Sequence, residues 1–456
     1  MEFPNKGRQI IAKIAMSAFV TATSALNLQA QEQRPLSLSE AIQLSIDNSK
    51  SLKIAKAKIL QSSAEWSEAK TRRLPDLQVS GSYLRMNEPN VQLKVPLNNN
   101  TGNGQQSGNE GAGTSSIKVD QAMYGMVNAS LPLFSGLRIT HAIESSKYLL
   151  RAAELDAEHD KSSVIQNTIS AYYNLYKAKA TVALVQENKK TAAQRVLDFS
   201  NMEQNGLLAR NDLLKAQLQE GNVELTLLDA LNNEAIAMFN LNLMLGLPQN
   251  TELILTDQFP DLPNITTLEE WENMALQHRA DLNALLQRTA AAEAGVKIAK
   301  GEFFPGVAIT GGYIAADVPQ LLTVTNAVNF GVGLSYNLAS LYKTPAKVRA
   351  AKAKKEQLDW TGLKMSDEIR MQMHRDYRNY VESLKKIEVH KKAVEQANEN
   401  YRITKNKYDN ALATTTDLLD ADVAKLQANI NYEYAKADAV VAYNKLYETA
   451  GLIPMQ

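Results

Sequence analysis

The sequence is written twice, so whatever it folds into is built from two copies of one unit. "LPDLQVSGSYL" (74–84) matches "FPGVAITGGYI" (304–314), with Pro75 over Pro305, Gly81 over Gly311 and Tyr83 over Tyr313. The same spacing of 230 positions runs upstream and sets "LSLSEAIQLSIDNSKSL" (36–52) on "TTLEEWENMALQHRADL" (266–282). Downstream, "NASLPLFSG" (128–136) aligns with "VGLSYNLAS" (332–340), and "GLLARNDLLKAQ" (206–217) with "ALATTTDLLDAD" (411–422). There the spacing has fallen to 204 and 205, largely because the polar insert at 87–116 has only a short counterpart after Ala315. Self-similarity over this distance constrains the fold more than any short motif.

Each copy reads as a helix, two strands around a loop, a very long helix, a polar turn and a last helix. The first set lies at about 37–71, 76–87, 118–133, 137–204 and 209–246, the second at about 267–301, 305–316, 327–338, 343–408 and 415–449. The chain thus divides into a first repeat (31–250), a linker (251–266), a second repeat (267–450) and a tail (451–456). A helix of about 68 residues is on the order of 100 Å long. Two shorter helices laid end to end would match it. Apolar positions in the long runs are small and thinly spread, as in "LQANINYEYAKADAVVAYNKLY" (426–447), so these helices pack closely but bury little area alone.

Composition excludes several classes. The 49 basic and 49 acidic side chains leave no cationic excess for a nucleic-acid partner. With no cysteine there is no disulfide, thiolate zinc site, cysteine nucleophile or N-terminal cysteine lipid anchor. Residues 1–30 read as a signal peptide, with Lys6, Arg8 and Lys13 before a short apolar stretch and "LQA" before Gln31. The chain is therefore expected to be exported. Beyond residue 30 no uncharged apolar run is long enough for a membrane-spanning helix.

The strands carry the membrane signal. In "NFGVGLSYNL" (329–338), Phe330, Val332, Leu334, Tyr336 and Leu338 share one side, while Asn329, Gly331, Gly333, Ser335 and Asn337 share the other. An apolar outer face backed by a small or polar inner face is the period-two pattern of a membrane barrel. Four strands cannot close a barrel, and lipid does not tolerate open sheet edges. If the sheet enters a membrane, other copies of the chain must close it. The competing reading is a small water-soluble sheet capping the helices.

With these features in order, the chain resembles the TolC-like outer-membrane efflux channel family over essentially all of its mature length. "LSLSEAIQLSIDNSKSL", "LPDLQVSGSY", "ASLPLFSGLR" and "YDNALATTTDLLDADVAKLQ" are each weak, but their order and spacing are specific. The resemblance implies a homotrimer, with a 12-stranded β-barrel in outer-membrane lipid continued by a long α-helical periplasmic barrel. It implies a passive exit duct in a tripartite efflux or secretion system, joined by a periplasmic adaptor to an inner-membrane transporter of RND or ABC type. From the residues themselves no catalysis and no cofactor is expected, because no motif for either appears. The family's acidic periplasmic constriction falls on Asp417 and Asp420, and a gate tyrosine on Tyr408. Where the family often has glycine and a basic residue in the intervening turn, this chain has Ala411 and Ala413, so its gate contacts are expected to differ. Three copies would set carboxylates around a narrow axis, attracting cations and discouraging anions. Asp417 after "TTT" also reads as a helix-start acid, and the two roles can coexist.

Other candidates are weaker. His141, His159, His278, His374 and His390 are scattered, with no metal-ligand spacing, and no nucleophile, phosphate or dinucleotide motif appears. The Asn- and Gly-rich segment 87–116 suits an extracellular loop. Leu133, Phe134 and Tyr336 fit either an interfacial aromatic belt or packing at a barrel-to-helix junction. Leu207, Leu208, Leu213 and Leu214 either meet the adaptor or pack between hairpins. The rival functional classes are an elongated structural or adhesion stalk and a periplasmic adaptor, though the adaptor's lipoyl-like β domain is not visible.

Overall fold

The computed structural model describes residues 33–87, 90–91, 117–257, 259–263, 265–319 and 321–452. The signal-peptide reading and nearly all of the 87–116 loop lie outside the described residues. In the first repeat the elements are β1 (Gln33–Leu36), α1 (Leu38–Asn48), α2 (Lys50–Thr71), β2 (Asp76–Arg85), β3 (Asn90–Val91), β4 (Ile117–Lys118), β5 (Gln121–Phe134), α3 (Arg138–Gln204) and α4 (Arg210–Leu245). β6 (Glu252–Leu255) follows, then α5 (Leu268–His278), α6 (Ala280–Gly301), β7 (Gly306–Val318), β8 (Leu322–Ser335), α7 (Ser340–Asp409) and α8 (Thr415–Thr449). No helix among the described residues is long and apolar enough to cross a membrane.

The described residues fall into two compact units, and both take segments from each repeat. One contains the residues up to Lys56, Asp156–Leu282 and those from Met365 onward; the other contains Ala57–Leu155 and Asn283–Lys364.

In the second unit a four-stranded antiparallel sheet runs in the order β2-β5-β7-β8, leaving β2 and β8 as open edges within the chain. Its register sorts the side chains. Val79 lies opposite Val127, Val127 opposite Tyr313, and Tyr313 opposite Val328. One row along, Leu77, Ala129, Gly311 and Phe330 line up. Directly opposed residues point to the same side of a sheet, so this face is apolar across these rows, with Arg85, Gln121 and Asp317 only at its far end. Its edges are bare: Val79 is 74 % and Phe330 83 % exposed. The other face carries Gln78, Asn128, Gly312 and Asn329 in one row. There Gly312 is obligatory, since a Cβ on it would sit 2.8 Å from the Val127 carbonyl oxygen. The alternation read from 329–338 holds in three dimensions, but β8 starts earlier and stops at Ser335. Asn337 ends it, its Oδ1 accepting from the Ala339 N–H (3.0 Å) and its carbonyl from the Ser340 N–H (2.8 Å), which turns the chain into α7.

In the first unit, β1 and β6 pair in parallel, so the 251–266 linker contains a strand that the sequence does not announce. Leu36 and Leu253 are buried there beside Leu241 and Leu245 of α4 and Ile169 and Tyr172 of α3. Burying each leucine contributes about 1.5–3 kcal/mol. A second cluster gathers Trp271, Ala275, Ile369, Met373, Tyr380 and Leu446. The Tyr380 hydroxyl donates to the Pro263 carbonyl (2.7 Å), pinning the linker to α7.

The helices expected at 37–71 and 267–301 are each broken once, at Ser49 (ψ 120°) and Arg279 (ψ 120°). These positions are 230 apart, the repeat spacing. A local cap and a tertiary contact act together: Ser49 Oγ accepts from the Leu52 N–H (3.3 Å) and Asp281 Oδ1 from the Leu282 N–H (2.9 Å). The glycine ending the last helix of each repeat, Gly246 or Gly451, sits against the break. A Cβ there would lie 2.9 Å from the Asn48 side chain or 2.7 Å from the Arg279 backbone nitrogen.

Candidate functional site: the two helix-hairpin turns

The turn between α3 and α4 and the turn between α7 and α8 lie in the same compact unit and are built alike. In each the helix ends in a left-handed residue, Gly206 (φ 70°) or Ala411 (φ 58°). The next N–H reaches back to the last turn, Leu207 to the Met202 carbonyl and Leu412 to the Lys407 carbonyl, both at 2.8 Å. This closure satisfies carbonyls that the helix end would leave open. Glycine adopts the conformation without strain, whereas alanine meets a Cβ clash costing roughly 1–2 kcal/mol. Ala411 therefore keeps the fold of the turn at a local cost.

Thr414 then caps α8 in a reciprocal box. The Asp417 N–H donates to Thr414 Oγ1 (3.2 Å), while the Thr414 N–H (2.9 Å) and hydroxyl (2.7 Å) donate to Asp417 Oδ2. These bonds, the hydroxyl first and the backbone N–H second, hold the Asp417 carboxyl below its ordinary range. Asp420 is exposed one turn further on, with no hydrogen bond or ion pair to another described residue. The helix-start role of Asp417 is thus present, and one of its oxygens is committed to it.

The first repeat differs in charge at the matching positions. Asp212 stands for Asp417, but Lys215 stands for Asp420. Lys215 Nζ binds Asp212 (3.3 Å) and also donates to Thr416 Oγ1 (3.4 Å), tying the start of α4 to the start of α8. One turn neutralises itself, and the other keeps two carboxylates without a cation.

Tyr408 is half-buried and stacks on Phe199 of α3, ring centroids 5.6 Å apart at 28°. It joins Leu208, Leu213 and Ala216 in a small apolar cluster bridging the two hairpins. The four leucines of the first turn accordingly separate. Leu213 is 2 % exposed and Leu208 is partly buried against the same cluster, whereas Leu207 and Leu214 are exposed. Leu412, the second-repeat counterpart of Leu207, is equally bare and was not singled out from sequence.

One group escapes sequence reading altogether. Arg195 of α3 is buried and binds Asp422 of α8 at 3.0 Å, both side chains being 8 % exposed. Its other terminal nitrogen donates to the Tyr401 hydroxyl of α7 (3.3 Å). Three helices from two repeats meet at one guanidinium. The only hints in the sequence are a lone arginine among small residues in "TAAQRVL" and an aspartate off the face shared by Asp417 and Asp420.

The histidines stay apart. His141 contacts Glu144 (3.1 Å) and His159 approaches Asp281 (4.0 Å). Among the described residues no three His, Asp or Glu side chains are grouped to hold a metal.

A family model described as outer membrane efflux protein matches residues 41–247 and 271–452. The chain is 22 % identical over 345 residues to the toxin and drug export protein A of Aggregatibacter actinomycetemcomitans, covering 71 % of this chain and 72 % of that protein. Among solved structures it resembles the Campylobacter jejuni CmeC outer membrane channel, with a TM-score of 0.76 at 17 % identity over 92 % of this chain and 87 % of that one. It also resembles the open state of the Neisseria gonorrhoeae MtrE outer membrane channel, with a TM-score of 0.70 at 16 % identity over 91 % and 89 %.

Proposed function

We infer the function from one premise: this chain belongs to the outer membrane efflux protein family. Three copies form an outer-membrane channel that serves as the exit duct of a tripartite efflux or secretion system. The observation that carries this reading is the open sheet. It has one continuous apolar face and two unpaired edge strands. In hydrocarbon each unsatisfied backbone group costs several kcal/mol, so β2 of one copy pairs with β8 of the next until the sheet closes. Polar Gln78, Asn128 and Asn329 then face the lumen.

Charge selection sits at the periplasmic turns. Asp417 and Asp420 from each copy form an acidic constriction, Tyr408 holds the second hairpin against the first, and the Arg195–Asp422 pair secures the two hairpins behind it. Leu207, Leu214 and Leu412 supply the exposed apolar tips that a periplasmic adaptor grips, and an inner-membrane transporter supplies the energy. The cargo class follows the toxin and drug export in the relative's name.

The test is single-channel recording of the purified protein in a planar bilayer, with Asp417→Asn plus Asp420→Asn as the variant. Small cation-selective currents that lose selectivity in the variant are expected. Selectivity unchanged by the variant would remove the constriction from these residues, and a folded, inserted protein without current would remove the channel.

A further inference from the structure

The helix-to-sheet junction of the second unit carries a further charged feature. Four chain crossings meet at one end of the sheet: α2 enters β2 at Asp76, β5 leaves for α3 at Phe134, α6 enters β7 at Gly306, and β8 leaves for α7 at Ser335. Their closeness is measurable. Phe134 is in register with Val307, and Gly306 with Ser335. A Cβ on Gly301 would meet the Arg138 side chain at 2.5 Å. Lys347 Nζ reaches Glu302 at 2.7 Å.

At this end the cations outnumber their partners. Arg72 is taken by Glu68 (3.1 Å) and Lys347 by Glu302. Arg73, Arg138, Lys300 and Lys343 are exposed, one from each crossing, and none has a carboxylate partner among the described residues. The cations also lie beside exposed rings. Phe134 and Phe304 meet edge-on at 6.5 Å, and Tyr342 is 71 % exposed immediately before Lys343. Aromatic rings settle at the membrane–water boundary, and cations beyond them attract anionic headgroups within a Debye length.

We propose that Arg73, Arg138, Lys300 and Lys343 form a cationic collar that binds the phosphates of anionic phospholipids in the periplasm-facing leaflet. This rests on the part of the proposed function that puts the sheet in a membrane, because only a membrane-inserted sheet brings headgroups to this level. Lysine acts as a point charge and arginine as a fork for phosphate oxygens, so the collar reads charge rather than a particular headgroup. Anionic lipid would then brace the junction where every element changes from strand to helix.

The experiment uses the full-length protein in mild detergent, with native mass spectrometry of lipid retained from phosphatidylglycerol or phosphatidylcholine. The variant is Arg73→Gln, Arg138→Gln, Lys300→Gln and Lys343→Gln together. The control, Lys53→Gln plus Lys391→Gln, removes exposed charge from the other compact unit. Wild type and control are expected to prefer phosphatidylglycerol by at least about tenfold, and the collar variant to lose that preference. Equal retention of both lipids by wild type would overturn the collar. So would an unchanged preference in the variant, or displacement of the lipid by millimolar inorganic phosphate. Currents recorded in a pure phosphatidylcholine bilayer separate the two ideas. Current without lipid preference leaves the channel and removes the collar; preference without current supports the collar and removes the channel.

Discussion

At the scale of single residues, the second hairpin turn combines a local strain with a local reward. Ala411 holds a left-handed conformation where its counterpart is Gly206. Ala411→Gly is therefore expected to raise stability by about 1 kcal/mol, read as a higher urea midpoint with unchanged slope. Asp417 is the reward, and its sign follows from its shifted titration. A carboxyl whose folded value is lowered stabilises the fold above its unfolded range and loses that contribution as pH falls through the folded value. The stability gap between wild type and Asp417→Asn should be open at pH 7 and close below the carboxylate range. Asp420→Asn, with no side-chain bond to lose, should alter selectivity and leave the urea midpoint at pH 7 at the wild-type value. The acid pair and its capping role were legible because spacing and residue type suffice for both. The Arg195–Asp422–Tyr401 group was not, since its members lie 227 and 206 positions apart and only packing brings them together.

At the scale of elements, periodicity located the long helices and strands but not the breaks inside them. Apolar periodicity runs unbroken through "IDNSKSL" and "QHRADL"; each break combines a local side-chain cap, as where Ser49 Oγ accepts from the Leu52 N–H, with a neighbouring helix end that needs the space. Gly451→Ala tests this. Its Cβ would meet the Arg279 nitrogen at 2.7 Å at a φ of 73°, so a loss of about 2 kcal/mol is expected by thermal unfolding. The strand β6 was hidden for a related reason. Four residues between prolines carry too little pattern, and it exists because β1 offers it a ladder. The tie between hairpins also belongs to this scale. Removing one partner of a buried ion pair costs about 3–5 kcal/mol, because the other charge is stranded. Asp422→Ala should show a loss of that order. Replacing Arg195 with Met and Asp422 with Leu together should cost less than the single change. If the two losses simply add, the pair is not coupled.

For the whole molecule, the decisive issue is whether the apolar face of the sheet meets lipid or water, and one residue separates these. Phe330 is 83 % exposed in a central row of β8, and its neighbour Asn329 points to the other face. In a water-soluble stalk, Phe330→Lys would be harmless, since an exposed apolar side chain would give way to a charged one. In a barrel it places an ammonium against hydrocarbon, costing roughly 2–4 kcal/mol near the bilayer midplane. Asn329→Lys would face an aqueous lumen, where it changes conductance and leaves stability nearly intact. Urea titration in lipid vesicles should therefore show a lower midpoint for Phe330→Lys and a wild-type midpoint for Asn329→Lys. Two equal midpoints would mean that the two faces share one solvent and that the sheet is not in the membrane. The alternation behind this test was visible in ten residues of sequence. The alignment of one apolar face across four strands was not, because register depends on which strands pair.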